Sequence, residues 1–114
     1  MKVNVQLRED GDMLRGKIEG EIDTFTAPIL RDELETITIG KYSLIELDLS
    51  NVNYMDSTGI GVFVGFYKKV NREEGKLKLT QLSERLTRLF EITGLNELMD
   101  IETLKKVELS DGNF

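Results

Sequence analysis

Apolar and polar residues alternate from the first residues of the chain. Val3, Val5 and Leu7 take every second position between Asn4, Gln6 and Arg8, the period of a strand with one buried face. Glu9-Asp10-Gly11-Asp12 supplies turn chemistry, so Met13 to Ile18 is expected to return as the second arm of a hairpin. Gly20-Glu21-Ile22-Asp23 leads on into an exposed loop. The only proline, Pro28, follows Thr26, which reads as an N-cap with proline tolerated in the first turn. Leu30, Leu34 and Ile37 then recur with helical spacing, and Gly40 is expected to close that helix. Leu44 to Leu49 is apolar at 44, 45, 47 and 49, as in a central strand. The longer apolar run from Val62 to Val70 predicts a helix largely buried until Lys68-Lys69, and Gly75 is expected to end it. Lys76-Leu77-Lys78-Leu79 alternates as a short strand. Ser83 is placed to cap a helix carrying Leu86, Leu89 and Phe90 on one side, with Gly94 just past its end. Weaker patterns suggest a strand near Leu98 to Ile101 and a final helix from about Glu102 to Leu109, with residues 110–114 expected to fray.

The order β-β-α-β-α-β-α-(β)-α implies an α/β fold. A mixed sheet opens with a hairpin and continues with parallel members joined by right-handed crossovers, helices following the later strands. Ligands and partners of such sheets gather outside the carboxyl ends of the strands. The stretch Tyr54-Met55-Asp56-Ser57-Thr58-Gly59-Ile60-Gly61 enters a helix at that edge, and the loop around Asp23 is expected beside it.

Composition narrows the chemistry. The chain has 114 residues and no segment of linker composition, which suits one domain. Cysteine and histidine are both absent. That removes disulfides, thiol catalysis, imidazole or thiolate metal sites and any histidine-based triad. The apolar runs fall short of the ~20 residues of a membrane span, and the start lacks a signal peptide's apolar block. A soluble, intracellular, cytoplasmic protein is expected. The net charge of −6 argues against nucleic acid as a partner. All of it falls on residues 1–56, with six basic and twelve acidic side chains, whereas residues 57–114 balance at nine of each. A partner with a basic surface would be steered towards the first half.

Ser57 lies where a helix start leaves unpaired N–H groups and a partly positive dipole end. Its hydroxyl either caps the helix or is displayed for modification, where the helix end would welcome a phosphate. Other readings fit less well. Gly59-Ile60-Gly61 with Gly65 imitates a dinucleotide fingerprint at the wrong spacing, and no acidic residue closes a following strand. Gly61 and Gly65 instead suggest a helix side pressed onto the sheet, and Gly59 a backbone left uncovered beside Ser57. Met55 stands where a nucleophile elbow needs glycine. Asp23, Asp48 and Asp56 would have to converge to hold a metal ion.

The run Tyr54 to Phe63, together with Gly20-Glu21-Ile22-Asp23, Ala27-Pro28, Leu77-Lys78-Leu79, Leu82 to Leu86 and Arg88 to Leu95, resembles the bacterial anti-sigma factor antagonists, the stand-alone STAS domains. It is most similar to those of the general stress response. The match runs in order to about Ile101, and a STAS domain over residues 1–109 is expected. The resemblance implies partner switching in transcription regulation, with no enzyme activity and no cofactor. The serine at the position of Ser57 is the phosphoacceptor of an ATP-dependent serine kinase that is itself the anti-sigma factor. The unphosphorylated antagonist binds that kinase and frees the sigma factor, and a PP2C-type phosphatase restores the active form. The resemblance therefore favours phosphorylation at Ser57, with Asp23, Met55, Asp56, Thr58, Gly59 and Gly61 as partner contacts around it. Free antagonist is expected as a monomer. An interaction module of a larger sensory complex is the alternative.

Overall fold

The computed structural model describes residues 2–104. Strand β1 (Val3–Asp10) and strand β2 (Met13–Ile22) form the opening hairpin. Helix α1 (Ala27–Glu35), strand β3 (Leu44–Met55), helix α2 (Ser57–Arg72), strand β4 (Leu77–Leu82), helix α3 (Glu84–Ile92) and strand β5 (Asp100–Thr103) follow. Short 3-10 turns at Ile39–Lys41 and Leu95–Glu97 punctuate the connections.

The five strands stand in the sheet in chain order, with β1 antiparallel to β2 and every later pair parallel. Each crossover steps one strand in the same direction, so right-handed connections put α1, α2 and α3 on one face. Leu14, Ile18 and Ile22 of β2 and Ile45, Leu47 and Leu49 of β3 point into that layer. There they meet Leu30 and Leu34 of α1, Phe63, Phe66 and Val70 of α2, and Phe90 of α3 in one core. The other sheet face is polar: Arg15 bridges Asp10 at 2.9 Å and Glu46 at 2.6 Å, and Lys78 lies 3.3 Å from Glu102.

The hairpin is tighter than the four-residue turn expected, because Asp10 pairs with Met13 and only Gly11 and Asp12 are left to turn. Gly11 has φ 65°, the positive value a two-residue hairpin loop needs at its first central position. Strand β3 runs six residues beyond Leu49, through polar Ser50, Asn51 and Asn53. The end of β2 supplies the hydrogen-bonding partner for that stretch, from Glu19↔Asn51 to Ile22↔Met55. Pairing here overrides side-chain preference.

Several boundaries differ from the sequence reading. Helix α1 ends at Glu35, and Gly40 lies in the 3-10 turn that follows. Helix α2 ends at Arg72 in a Schellman closure, with Gly75 N–H donating to Val70 O at 2.8 Å and Glu74 N–H to Asn71 O at 3.0 Å. The left-handed position belongs to Glu74 (φ 63°), while Gly75 is small for packing: a Cβ there would lie 2.8 Å from Ile39 Cγ2. Ser83 and Gly94 act as expected. Ser83 Oγ accepts from Leu86 N–H at 3.1 Å, and Gly94 has φ 78° just past α3. The last strand covers Asp100–Thr103, so Glu102 and Thr103 are extended rather than the start of a helix. Leu104, whose N–H donates to Leu82 O at 2.8 Å, is not helical either, and the rest of the expected helix (105–109) and the expected frayed tail lie outside the described residues.

Candidate functional site

Strands β2 and β3 are parallel neighbours, and Ile22 pairs with Met55 at their carboxyl ends. Adjacent strands stand ~4.8 Å apart, so the chain leaves the sheet twice at nearly one place. It goes into α1 through Asp23–Thr26 and into α2 through Asp56. The two exits are tied by Asp56 N–H donating to Ile22 O at 3.2 Å.

At the α2 mouth the cap is Asp56 rather than Ser57. Asp56 Oδ1 accepts from Thr58 N–H at 2.9 Å, Gly59 N–H at 3.4 Å and the Thr58 hydroxyl at 2.7 Å. Ser57 is the first helical residue and is exposed. Its hydroxyl makes no hydrogen bond with the described residues, whereas that of Thr58 is held by Asp56. The carboxylate thus takes up two of the amides that the sequence reading left for a phosphate.

Gly59 is buried, and the expectation that it leaves backbone open to a partner is corrected. A Cβ there would lie 2.7 Å from both Ile22 Cγ2 and Met55 Cγ, so Gly59 is the point at which α2 presses onto the sheet. Met55, expected as a partner contact, is 7 % exposed and belongs to the core, because its side chain points to the helix layer. Gly61 and Gly65 face open space and do not touch the sheet. They border a shallow groove of about 190 Å³ between α1 and α2, lined also by Arg31, Leu34 and Lys69. The outer side of α2 is therefore less buried than its apolar sequence suggested.

At the α1 mouth the expected cap, Thr26, makes no capping hydrogen bond of its own. Asp23 organises the turn: its Oδ1 accepts from Phe25 N–H at 2.9 Å and Thr26 N–H at 3.0 Å. The Thr26 hydroxyl donates to Glu21 O at 2.7 Å, with Asp23 Oδ1 at 3.2 Å, and accepts from Asp23 N–H at 2.9 Å. Asp23 is 8 % exposed and Thr26 2 %. The Thr26 N–H, then that of Phe25 and the Thr26 hydroxyl, hold the Asp23 carboxyl below its ordinary range, against desolvation that pushes it up. This loop raises Phe25, 84 % exposed, with Ile29 at 53 % beside it on α1. The sequence reading passed over Phe25. Its signal is a lone aromatic between two threonines in a polar loop, a pattern that leaves open whether the ring turns in or out.

Asp48 stands apart from both mouths, mid-strand in β3, where its Oδ1 accepts from Ser50 N–H at 2.8 Å. Among the described residues no three acidic side chains come together as a metal site, so Asp23, Asp48 and Asp56 are not a cluster. No described helix is long and apolar enough to cross a membrane.

Residues 4–109 match the family described as the STAS domain. The anti-sigma-B factor antagonist of Bacillus subtilis is 46 % identical over 101 residues, covering 89 % of this chain and 92 % of the relative. Among solved structures, an anti-sigma factor antagonist from Mycobacterium paratuberculosis superposes with a TM-score of 0.79 at 22 % identity, covering 89 % of this chain and 86 % of the other. SpoIIAA, the Bacillus cell fate determinant, in its phosphorylated form gives 0.66 at 22 % identity over 95 % of this chain and 96 % of the other. At these identities both likenesses are of fold. With a family match across nearly its whole length and a relative of this identity, the chain belongs to the STAS domain family and, within it, to the anti-sigma factor antagonists.

Proposed function

We propose that the chain acts as an anti-sigma-B factor antagonist whose binding is controlled by phosphorylation of Ser57. With Ser57 free it binds an anti-sigma factor that is also a serine kinase, and a stress-response sigma factor is released. The kinase then transfers the γ-phosphoryl group of ATP to Ser57 Oγ while the hydroxyl proton leaves, and a PP2C-type phosphatase hydrolyses the ester. The chain is a regulatory cytoplasmic binding protein in this scheme, not an enzyme.

The observation that carries the reading is the contrast between two adjacent hydroxyls. Ser57 is exposed with no hydrogen bond to the described residues, while Thr58 donates to Asp56 at 2.7 Å. Only the first is ready to attack a phosphoryl group without breaking a contact of the fold. A phosphate would add about −1.5 to −2 charges. Asp56 already occupies the Thr58 and Gly59 amides, so the new charge is repelled outward, into the face where a partner docks. The fold is spared because Ser57 holds nothing together. SpoIIAA, which has this fold, is known in a phosphorylated form. Losing ~3 to 4 kcal/mol at the interface lowers affinity several hundredfold, enough for a switch.

The test is incubation with the cognate kinase and ATP, followed by mass spectrometry and affinity measurement. Ser57→Ala binds the kinase and takes up no phosphate, and Ser57→Asp binds at least about tenfold more weakly, a loss of ~1.4 kcal/mol. Phosphate on Thr58 or elsewhere, with Ser57 unmodified, refutes the assignment.

A further inference from the structure

We infer that Phe25 is a second, separately acting contact for the kinase proposed above: a preset aromatic anchor that enters an apolar pocket with a basic rim. The inference rests on that reading of Ser57 and adds what recruits the enzyme to it.

Phe25 is 84 % exposed, more than any other large apolar side chain among the described residues. Its backbone is not loose. Its N–H donates to Asp23 Oδ1 at 2.9 Å, the next N–H to the same oxygen at 3.0 Å, and the Thr26 hydroxyl pins Asp23 N–H and Glu21 O from below. A loop backbone fixed in this way loses little freedom on binding, which is how a preorganised surface gains affinity. Buried aromatic anchors dominate the energetics of protein interfaces.

The occupant follows from position. The Ile22↔Met55 pairing and the Asp56 N–H to Ile22 O bond place the Phe25 loop and Ser57 on adjoining strand ends. A stable interface covers ~800 Å² on each partner, a patch about 30 Å across, while the two strands stand ~4.8 Å apart. An enzyme seated on Ser57 therefore also covers Phe25. Ile29, four residues further on and 53 % exposed, adds apolar surface. Glu21 and Asp56 bring negative charge to the two strand ends, which a basic rim complements, whereas Asp32 lies 3.8 Å from Arg31.

The anchor sits apart from the phosphorylated atom, so recruitment and switching are separable. Affinity of the cognate kinase, held with ADP, is measured for the full chain, Phe25→Ala and Phe25→Trp, with thermal unfolding of each. Phosphorylation of Ser57 is followed across kinase concentrations. Phe25→Ala is expected to unfold at the wild-type temperature, bind about 10- to 100-fold more weakly and lose kcat/KM by the same factor, with kcat at saturating kinase unchanged. Phe25→Trp is expected to stay within about threefold of wild type. Wild-type binding with Phe25→Ala inside twofold of it overturns this inference and leaves the Ser57 reading standing. A wild-type chain that does not bind the kinase overturns both. Sedimentation showing a wild-type dimer lost in Phe25→Ala, with kinase affinity unchanged, assigns the ring to a second copy and also overturns it.

Discussion

The two strand-to-helix mouths use one device for opposite ends. Each has an aspartate whose Oδ1 takes two consecutive backbone N–H groups and approaches the hydroxyl of a nearby threonine: Asp23 with Phe25 and Thr26, Asp56 with Thr58 and Gly59. At α1 the aspartate and threonine are sunk at 8 % and 2 % exposure, and the residue left outside is an aromatic. At α2 Thr58 is exposed, and the residue left outside is a serine with its hydroxyl free. The first mouth is a fixed presentation of surface and the second a fixed presentation of a reactive group. Neither needs motion, because the rigidity comes from the cap and the chemistry from the side chain left outside it.

The contrast is broken most directly by swapping each threonine for its isostere valine. Thr26→Val removes the acceptor of the buried Asp23 N–H and the donor to the partly buried Glu21 O. The expected cost is ~1 to 3 kcal/mol of unfolding free energy. Thr58→Val removes an exposed hydroxyl whose partner water can serve, with an expected change within ~0.5 kcal/mol. Urea unfolding of both variants reads the difference, and equal effects would show that the two mouths are not built differently.

Glycines sharpen the same comparison within one helix. Gly59→Ala puts a Cβ 2.7 Å from Ile22 and Met55, the residues that join the two mouths, and is expected to destabilise by ~1 to 2 kcal/mol despite alanine's helix propensity. Gly61→Ala adds a methyl group to open space and gains up to ~1 kcal/mol from that propensity. Thermal unfolding that moved both in one direction would contradict the packing.

Much of this was legible in the sequence. Alternation at Val3–Leu7, the run at Leu44–Leu49 and the spacing of Leu86 and Phe90 point to the right element types, because each marks one face turned to the core, although Leu7 itself is 38 % exposed. The Ser57 mouth stood out for the same reason, as an apolar strand run meeting an apolar helix run. What stayed hidden were choices between chemically similar neighbours. Asp56 and Ser57 are both good caps, and only backbone geometry decides that the aspartate takes the N–H groups while the serine is left over. Gly59, Gly61 and Gly65 look alike in sequence, yet helix phase turns one to the sheet and two to solvent. The continuation of β3 through Ser50–Met55 depends on how far β2 extends beside it, a nonlocal fact.

The smallest expected effect is the dependence of the α1 mouth on pH. The Thr26 N–H leads the interactions that lower the Asp23 pKa, so the folded protein binds this proton more weakly than the unfolded chain. The stabilisation is fully present above the unfolded value of ~3.9 and is lost as pH falls through the lower folded value. Asp23→Asn keeps an oxygen at Oδ1 to accept both N–H groups but carries no charge at any pH. The variant is therefore expected to be less stable than wild type at pH 7 and to converge with it below pH ~4. Glu9 is also lowered, by hydrogen bonds from Tyr42 and Lys41. It acts alike in both proteins and cancels when one stability curve is subtracted from the other. A difference curve flat from pH 7 to below pH ~3 would mean that the Asp23 charge does nothing for the loop. The rigid presentation of the Phe25 backbone would then rest on the neutral hydrogen bonds of Asp23 and Thr26.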